Sequence, residues 1–433
     1  MEQQTVPNNL NAEAAVLGTA MLNQEAIPEL VASVTPDHFY KPAHQQIAAA
    51  IFDLFKAGEN VDIITVVEEL KERGDLNKVG GEAYIASLLD VIPARSMVKG
   101  HSKIIAENAK KRNLIALLSD FAHRCYTAPL EHVVEDFSQK YFRIVAEGKG
   151  NGPAPISSVL GAVFDELHRK VESGQHTSGL ATGFYEIDKI LGGLHPSDLV
   201  VLGARPSMGK TTLAMNIALN CSRNGAKVAV FSLEMSSGQL AERLLSTTTG
   251  ICGDAIRRGI LDEQQREKMS QAGKGLSNLP LVIDDNPALS AQAIRAKASL
   301  LATKDGLDLI VVDYLQLMRG TGETREREVS EMSAGLKGIA KTLNIPVLVL
   351  SQLNRSLESR PNKRPILSDL RDSGSIEQDA DVVLFLYRDE VYNRSPDNPL
   401  AGIAELIVAK HRNGRTGAMK LRFDGHLYRF MDV

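Results

Sequence analysis

One segment constrains the fold of this chain more than any other: residues 200–212, VVLGARPSMGKTT, where an apolar run meets a turn of glycine, proline and serine. The residues that follow, LAMNIALNC, repeat apolar positions as a helix does. A buried strand, such a turn and a helix form the setting of a P-loop, in which backbone N–H groups converge on phosphate oxygens. The segment therefore predicts a nucleoside triphosphate site, with Lys210 at the β- and γ-phosphates and the Thr211 hydroxyl on Mg²⁺.

The segment departs from the strict P-loop pattern at one position. That pattern has a glycine five residues before Gly209, where this chain has Ala204, with Gly203 one residue earlier. The alternative interpretation is a glycine-bearing turn between a strand and a helix that binds nothing. The strand, the Lys–Thr pair and the helix together favour the phosphate site.

Length and composition set broad limits on the protein. A chain of 433 residues suggests two or three domains, and 24% charged with 43% hydrophobic residues is typical of globular proteins. No apolar run is long enough to cross a bilayer, and the N-terminus lacks the basic and apolar regions of a signal peptide. We therefore expect a cytoplasmic protein without a membrane partner. The three cysteines stand far apart, which argues against a disulfide framework or a cysteine zinc site.

Charge is distributed unevenly along the chain. Residues 1–150 contain 15 Lys/Arg and 20 Asp/Glu, a net charge of −5, and the remainder contains 34 and 33, a net charge of +1. This balance argues against a protein held on nucleic acid by bulk positive charge. Any nucleic-acid site must be a local basic surface, such as a channel lining, in the second part.

The first part of the chain has helical periodicity and no residues that look catalytic. The predicted helices are Ala12–Leu22, Gln45–Phe55, Ile63–Arg73, Ala83–Leu89 and Val98–Ala122. An acidic helical region of this kind indicates an assembly or partner-binding domain, which we place at residues 1–147.

A linker is predicted at residues 148–178. The Gly- and Pro-rich stretch Glu147–Pro155 precedes one amphipathic helix with an apolar stripe. The stripe consists of Val159, Val163, Leu167 and Val171. It packs either on the second domain of its own chain or on a neighbouring subunit.

From residue 179 onward, short β-branched runs alternate with helical segments. This pattern predicts an α/β domain, residues 179–433, around a largely parallel sheet that is finished by antiparallel strands. The predicted strands are Leu199–Leu202, Lys227–Ser232, Leu281–Asp284, Leu309–Asp313, Val347–Leu350, Val382–Leu386, Glu405–Ala409, Ala418–Phe423 and Leu427–Met431.

Three strand ends carry side chains suited to phosphoryl transfer. Asp313 ends a fully apolar strand, where a carboxylate holds Mg²⁺ through its water shell. Glu234 follows the strand after the P-loop and is a candidate general base for the attacking water, the alternative being an N-cap or surface residue. Gln352 is an uncharged amide suited to sensing the γ-phosphate.

Two cations stand close together near the C-terminus. Lys410 and Arg412 alternate along a strand end and therefore project on the same side. They either reach the active site of the next subunit, as an arginine finger does, or form a solvated strand end. The residues themselves leave both interpretations open.

Six segments, in this order and spacing, closely resemble the motifs of the bacterial replicative DNA helicases of the DnaB family. They are GARPSMGKTT, FSLEM, VVDYLQLM, LSQLNR, ILSDLRDSGSIEQDADVVLFLYR and KHRNGRTG. The LRDSGSIEQDAD part is far more restrictive than a P-loop, and an alanine at position 204 is also typical of the family. The resemblance covers essentially the whole chain and implies an all-α N-terminal domain, a linker helix and a RecA-like P-loop ATPase domain.

The resemblance also implies an activity. It predicts a homohexameric ring that hydrolyses ATP with Mg²⁺ at subunit interfaces, translocates 5′ to 3′ on single-stranded DNA and opens forked duplex. Primase and a helicase loader are the implied partners. By matching motif positions, the phosphate cradle is Ser207, Met208, Gly209, Lys210, Thr211 and Thr212, Mg²⁺ is held at Thr211 and Asp313, Glu234 is the base, Gln352 is the sensor, and Lys410 and Arg412 act in trans.

The loop containing Arg371, Asp372 and Gly374 matches the DNA-backbone-binding loop of the family. In physical terms, Gly374 lets backbone N–H groups approach a phosphate, Arg371 supplies charge, and the acids Asp369 and Asp372 hold the loop. Such contacts are independent of base sequence, as a motor that passes every base requires. We expect the loop to lie off the sheet edge before the strand Val382–Leu386.

Two other classes of protein remain as alternatives. The first is a RecA-like strand-exchange or branch-migration ATPase, against which the large helical N-terminal domain and the absence of a cysteine zinc finger argue. The second is an assembly ATPase of the clock or signalling type that has only protein partners. Salt-sensitive binding to single-stranded DNA would separate that second class from both DNA-binding ones.

Overall fold

The computed structural model describes residues 6–90, 97–129, 178–287, 289–318 and 324–433, and the single positions 133, 136, 137, 140, 144, 156, 160 and 164. For Arg325 and residues 371–374 it describes the backbone only. The chain divides into two compact units, Met1–Val159 and Leu160–Val433. Among the described helices, none is long and apolar enough to span a membrane.

The first unit is helical. Its helices are α1 (Leu10–Leu22), α2 (Ile27–Ser33), α3 (Pro42–Ala57), α4 (Ile63–Glu72), α5 (Gly81–Ser87) and α6 (Val98–Arg124). Local signals set their bounds: the Asp62 carboxylate accepts the N–H groups of Ile64 and Thr65 at the start of α4, and Gly58 ends α3 at φ +74°. The apolar faces pack into a core that surrounds the fully buried Phe39.

The five predicted helices of this unit are confirmed, with ends that shift by at most three residues. The sequence reasoning missed α2, because seven residues are too few to display a helical period. Of the predicted linker helix, only Ile156, Leu160 and Phe164 are described, and they are helical and exposed. The stripe predicted at Val159, Val163, Leu167 and Val171 lies outside the described residues, as does the Gly- and Pro-rich segment 147–155.

The second unit is built on one sheet. Its described strands are β1 (Leu199–Ala204), β2 (Val228–Ser232), β3 (Leu281–Asp284), β4 (Leu309–Asp313), β5 (Val347–Gln352), β6 (Val382–Tyr387), β7 (Ile403–His411), β8 (Gly417–Asp424) and β9 (Arg429–Asp432). Their order is β3-β2-β4-β5-β1-β6-β7-β8-β9. β1 to β6 run parallel and β7 to β9 continue antiparallel, which confirms the predicted sheet.

Helices cover both faces of the sheet. They are α7 (Tyr185–Leu191), α8 (Lys210–Arg223), α9 (Ser237–Thr249), α10 (Gly253–Arg258), α11 (Glu263–Ser277), α12 (Ala291–Lys304), α13 (Arg325–Leu343) and α14 (Gly374–Asp379). Along β1, Val200 and Leu202 belong to one hydrophobic cluster, and Leu199 and Val201 belong to the other. Burial on both faces explains why the central strands are apolar throughout.

The segment that precedes β6 was predicted as a loop, and this is wrong. Residues Leu367–Ser373 form a 3₁₀-helix and continue directly into α14. The side chain of Ile376 is fully buried in the cluster beneath α13, so tertiary packing stabilises a helix that the Ser- and Asp-rich sequence does not predict.

Candidate functional site

The parallel sheet brings the predicted catalytic residues Lys210, Glu234 and Gln352 to one edge. β1, β2, β4 and β5 end there, at Ala204, Ser232, Asp313 and Gln352. A cleft of about 420 Å³ opens at this edge. Among the predicted residues, it is lined by Ser207, Gly209, Lys210, Thr211, Thr212, Glu234 and Gln352.

The turn between β1 and α8 has the backbone of a phosphate cradle. Ser207 and Gly209 have φ of +67° and +93°, and such left-handed positions turn successive N–H groups towards one concavity. A Cβ atom at Gly209 would lie 3.1 Å from Cζ of Phe430, so a side chain here would press on this ring as well as strain the left-handed backbone. The side chain of Met208 is only 2% exposed and packs in the core, which leaves its backbone alone to contact a phosphate.

The departure at Ala204 has a structural reason. Ala204 is still part of β1, paired with Gln352 and Leu386, so its extended backbone needs no glycine. The glycine requirement falls one residue earlier, at Gly203, where a Cβ atom would lie 2.9 Å from the ring of Phe385.

Thr211, which lines the cleft, contacts the buried Asp313 although 102 residues separate the two in the sequence. The Thr211 hydroxyl donates to Oδ2 of Asp313 at 2.7 Å. Oδ1 of Asp313 is buried and has no hydrogen-bond partner within the described part of the chain. Burial raises the pKa of the Asp313 carboxyl, and Lys210 and the Thr211 hydroxyl oppose that rise. A hydroxyl beside a buried, half-satisfied carboxylate fits a Mg²⁺ ion that takes its other ligands from water and phosphate.

Lys210 is a partly desolvated cation. Burial lowers the pKa of its amine, while the charges of Asp313 and Glu234 oppose the decrease. Its Nζ lies 4.4 Å from the ring centroid of Tyr314. An amine that has lost water in this way gains from an anionic ligand, because the attraction between opposite charges grows as water is excluded.

Glu234 and Gln352 present their side chains from neighbouring strand ends. Glu234 is exposed on the turn after β2, which the Ser232 hydroxyl shapes by donating to the carbonyl of Met235 at 2.7 Å. Gln352 ends β5, and its backbone N–H donates to Oε1 of Gln316 at 3.2 Å. Both side chains are therefore open to the cleft on supported backbone.

The sequence reasoning missed two arginines that brace the phosphate turn. Arg205 is 8% exposed and donates to the carbonyl of Leu353 at 2.8 Å and to Glu358 at 2.9 Å. Arg388 donates to the carbonyl of Ser207 at 3.1 Å. Arg205 stands inside the P-loop segment and could have been singled out for that reason.

Further side chains of the cleft had no signal in the sequence. Arg243, whose guanidinium carbon lies 5.0 Å from the ring centroid of Tyr428, lines the cleft together with Tyr314 and Phe423. These residues come from an α-helix, a strand end and the antiparallel strands. Only the fold brings them together, and their aromatic surface is suited to a nucleobase.

Lys410 and Arg412 lie elsewhere. β6 pairs Val382 with Val200, near the start of β1, and β7 pairs His411 with the same Val382. The two cations are thus at the edge of the sheet opposite the cleft. Lys410 donates to the carbonyls of Glu377 at 2.5 Å and Ala380 at 2.7 Å, and Arg412 donates to Asp381 at 3.0 Å. Burial lowers the pKa of the Lys410 amine.

Two family profiles match this chain. The profile described as DnaB-like helicase C terminal domain matches residues 179–432, and DnaB-like helicase N terminal domain matches residues 5–107. The chain belongs to the DnaB-like helicase family. The sheet-containing unit is therefore a RecA-like ATPase domain, and the helical unit is a DnaB-type N-terminal domain.

Curated relatives and solved structures extend the match to nearly full length. The chain is 39% identical to the replicative DNA helicase DnaB of Geobacillus stearothermophilus over 99% of its own residues and 95% of the relative. Identity and coverage are the same for the replicative DNA helicase DnaC of Bacillus subtilis (strain 168). A DnaB-like replicative helicase, solved in a study of its interactions with primase, is 32% identical, with 98% of this chain and 100% of that chain covered and a TM-score of 0.69.

The helicase motif predicted to contact DNA lies between β5 and β6. Arg371 and Asp372 belong to the 3₁₀-helix and Gly374 begins α14, and their side chains lie outside the described part of the structure. The flanking Asp369 is buried and accepts from Arg360 at 2.7 Å and from the N–H of Ile366 at 2.8 Å. Asp369 therefore holds this segment as expected.

Proposed function

We propose that this chain is the subunit of a homohexameric replicative DNA helicase that couples ATP hydrolysis to 5′-to-3′ translocation on single-stranded DNA and unwinds the duplex at the replication fork. One observation carries the proposal. The cleft is lined by Lys210, Thr211 and Glu234, which are suited to bind a nucleotide and activate water, whereas the cations Lys410 and Arg412 lie at the opposite edge of the same sheet. Such a division of residues is suited to a ring in which each site is completed by a neighbour.

The cleft supports ATP as the substrate and Mg²⁺ as its metal. The backbone of residues 207–212 and the first turn of α8 receive the phosphates, and the Lys210 ammonium is the fixed positive charge at the β- and γ-phosphates. Thr211 and Asp313 would hold Mg²⁺, which neutralises charge on the phosphate oxygens when bound. Tyr314, Phe423 and Tyr428 supply the aromatic wall for the base.

Coupling ATP hydrolysis to movement needs a general base and a residue that senses whether the γ-phosphate is present. Glu234 projects from the strand end next to Asp313 and accepts the proton of the attacking water. Gln352 ends β5, and its amide reports the presence of the γ-phosphate to the chain that follows. That chain contains the 3₁₀-helix and α14, so a change at Gln352 passes directly into the segment proposed to bind DNA.

Sheet geometry supports a contribution of Lys410 and Arg412 in trans. Val200 and Ala204 are four residue steps apart along β1, roughly 13 Å at about 3.3 Å per residue. Lys410 and Arg412, which lie level with the start of β1, therefore cannot reach the phosphates of their own cleft. We assign them to the cleft of the next subunit, where they stabilise charge that develops on the transferred phosphoryl group. A head-to-tail interface of this type closes into a ring.

DNA binding is assigned to Arg371, Asp372 and Gly374. Six copies of Arg371 around one channel would form a basic lining even though the second part of the chain has a net charge of only +1. Contacts to the backbone of single-stranded DNA explain how a motor can pass every sequence.

The domain assignments follow the same division of roles. We propose residues 1–147 as the assembly domain that receives primase and a helicase loader, 148–178 as the linker and 179–433 as the motor. The protein would act in the cytoplasm at the replication fork.

The decisive experiment compares forked duplexes that carry only a 5′ or only a 3′ single-stranded tail, with ATP and Mg²⁺. We expect unwinding of the 5′-tailed fork alone, and none with the Lys210→Ala variant. A preference for the 3′ tail would contradict the assigned direction. ATP-dependent strand exchange without fork unwinding would favour the strand-exchange alternative.

The DNA assignment is tested with Arg371→Ala, and Arg266→Ala, an exposed arginine on α11, is the matched control. The affinity for two unrelated oligonucleotides is measured as a function of salt concentration. Arg371→Ala should weaken both complexes equally and flatten the salt dependence, while basal ATPase persists and its stimulation by DNA is lost. Unchanged affinity and slope would remove Arg371 from the DNA site.

A further inference from the structure

A buried carboxylate, Asp381, stands where several elements of the motor domain meet. It is 4% exposed and directly precedes β6. Oδ2 accepts the backbone N–H of Leu199 at 2.8 Å and also pairs with the ammonium group of Lys337 on α13. Oδ1 accepts from Nη1 of Arg412 at 3.0 Å. The two oxygens thus have different tasks, one within the core and one towards Arg412.

Arg412 is held at one end of its guanidinium. Nη1 is bound by Asp381 and Nη2 by the carbonyl of Gln378 at 3.1 Å, and the backbone N–H of Arg412 donates to the carbonyl of Asp381 at 2.8 Å. The side chain is nevertheless 51% exposed. An arginine has five N–H donors, so a guanidinium fixed at one edge can still present donors to a phosphate. This is the arrangement of a positioned cation and not of a freely solvated one.

Lys410 and Arg412 share their anchor. Lys410 donates to the carbonyls of Glu377 and Ala380, at the end of α14, and both cations lie within 3.5 Å of the carbonyl of Gln378. Cations are favoured at the C-terminal end of a helix, where the carbonyl groups point outward. Since α14 begins at Gly374, one short helix joins the proposed DNA segment to both cations.

We propose that Asp381 is a positioning residue that fixes Arg412, and through the end of α14 also Lys410, in the orientation in which they reach the nucleotide of the adjacent subunit. This inference rests on the trans assignment of the proposed function. In this proposal Asp381 does not contact the nucleotide. Its Oδ2 links the start of β1 to α13, and its Oδ1 orients Arg412. A structural role would be satisfied by the Lys337 pair alone, whereas Oδ1 contributes only to the arginine among the described residues.

The first test compares Asp381→Asn with Lys337→Met. Both break the same buried ion pair, but only the first removes the charged acceptor of Arg412. We expect Asp381→Asn to lower the kcat of ATP hydrolysis about 10- to 100-fold with little change in the KM for ATP, because a misplaced catalytic group costs rate and not substrate binding. Lys337→Met should change kcat less than about threefold.

The double variant keeps no unpaired buried charge and should fold well, yet should lose kcat as Asp381→Asn does. Equal losses in the Lys337→Met and Asp381→Asn proteins would overturn the inference.

Mixed rings provide the readout that a purely structural role would not change. Asp381→Asn subunits mixed with Lys210→Ala subunits form some interfaces with an intact Lys210 on one side and an anchored Arg412 on the other, so ATPase should recover. Asp381→Asn mixed with Arg412→Ala should not recover, since both defects lie on the same side of every interface.

Arg412→Ala mixed with Lys210→Ala is the reference, with subunit exchange followed by labelled subunits. No recovery in the reference would overturn the trans assignment and the inference with it. Recovery in the reference but not in the mixture of Asp381→Asn with Lys210→Ala, or recovery of Asp381→Asn by Arg412→Ala, would overturn the inference alone.

Discussion

Two clusters of polar side chains, one in each unit, differ in whether their members are paired with one another. In the helical unit, Oε1 of Glu13 accepts the N–H of Tyr40 at 2.7 Å, and Oε2 contacts Nδ1 of His44 at 2.8 Å. The other ring nitrogen of His44 contacts the Tyr84 hydroxyl at 2.8 Å, to which Lys41 donates at 2.7 Å. Each polar side chain in this cluster has a partner from the same unit.

The second cluster, beside the cleft of the ATPase domain, is left open. Oδ1 of Asp313 is buried without a partner among the described residues, and Lys210 has lost water while its neighbours offset only part of that loss. A closed network stabilises the fold, because burying an unpaired polar group is unfavourable. An open one is stabilised by its ligand. This difference agrees with a ligand site at the cleft of the ATPase domain.

The largest expected effect comes from removing Lys210, the partly desolvated cation of the cleft. Lys210→Ala should reduce ATP hydrolysis at least roughly 100-fold, because the fixed charge at the phosphates is lost. The melting temperature without nucleotide should not fall, since a partly desolvated cation contributes little to folding. Steady-state ATPase and thermal unfolding measure the two. Lys227→Ala, an exposed lysine before β2, is the control, and hydrolysis at the control rate in Lys210→Ala would contradict the site.

The next largest effect is expected for Glu234 in the same cleft, where a substitution should lower turnover without weakening ligand binding. Glu234→Gln should reduce turnover roughly 100- to 10,000-fold, because the amide cannot accept the proton of the attacking water. The affinities for ATP and single-stranded DNA should stay within a small factor and can be measured with fluorescent ligands. Glu242→Gln on α9 provides the matched exposed glutamate. A parallel loss of nucleotide affinity and rate would make Glu234 a structural residue.

The closed cluster should respond in the opposite way. Glu13→Gln replaces an oxygen that accepts hydrogen bonds with an amide group that donates, and should destabilise the helical unit by about 1–3 kcal/mol. Denaturant unfolding measures this change, with the exposed Glu29→Gln as control. Basal ATPase should persist below the unfolding temperature, since the residues that line the cleft all belong to the other unit. An unchanged midpoint would show that the network adds nothing to stability.

The smallest expected effect is on the reactivity of a cysteine in α8, the helix that begins at the cleft. Lys210 begins this helix at the cleft, whereas Cys221 near its end is buried, and burial raises the pKa of its thiol to about 12. The thiolate is the reactive form, so at pH 8 only about one Cys221 in ten thousand could react, and a higher pH would increase that fraction. Iodoacetamide at pH 8 should modify the exposed Cys125 and leave Cys221 intact until denaturant is added, as mass spectrometry can follow. Equal labelling in the native protein would contradict the closed interior.

Local sequence patterns were sufficient to predict many of the helices and strands. The strand, turn and helix over residues 199–223, the strands β3 and β4 and the long helix α6 were predicted from short β-branched or apolar runs and from helical periodicity. The residues of the phosphate turn were also readable, because left-handed backbone and close packing at Gly209 admit so few alternatives.

Tertiary structure decided the rest. The contact between Thr211 and Asp313 depends on the order of strands in the sheet, and the helix α14 depends on a site for Ile376 beneath α13. Arg243 approaches the cleft, and Arg412 reaches Asp381, only because the chain folds back over long distances. A sequence displays the spacing of residues along one element, whereas a site is made of side chains from different elements. Their meeting depends on sheet order and packing, which no local pattern encodes.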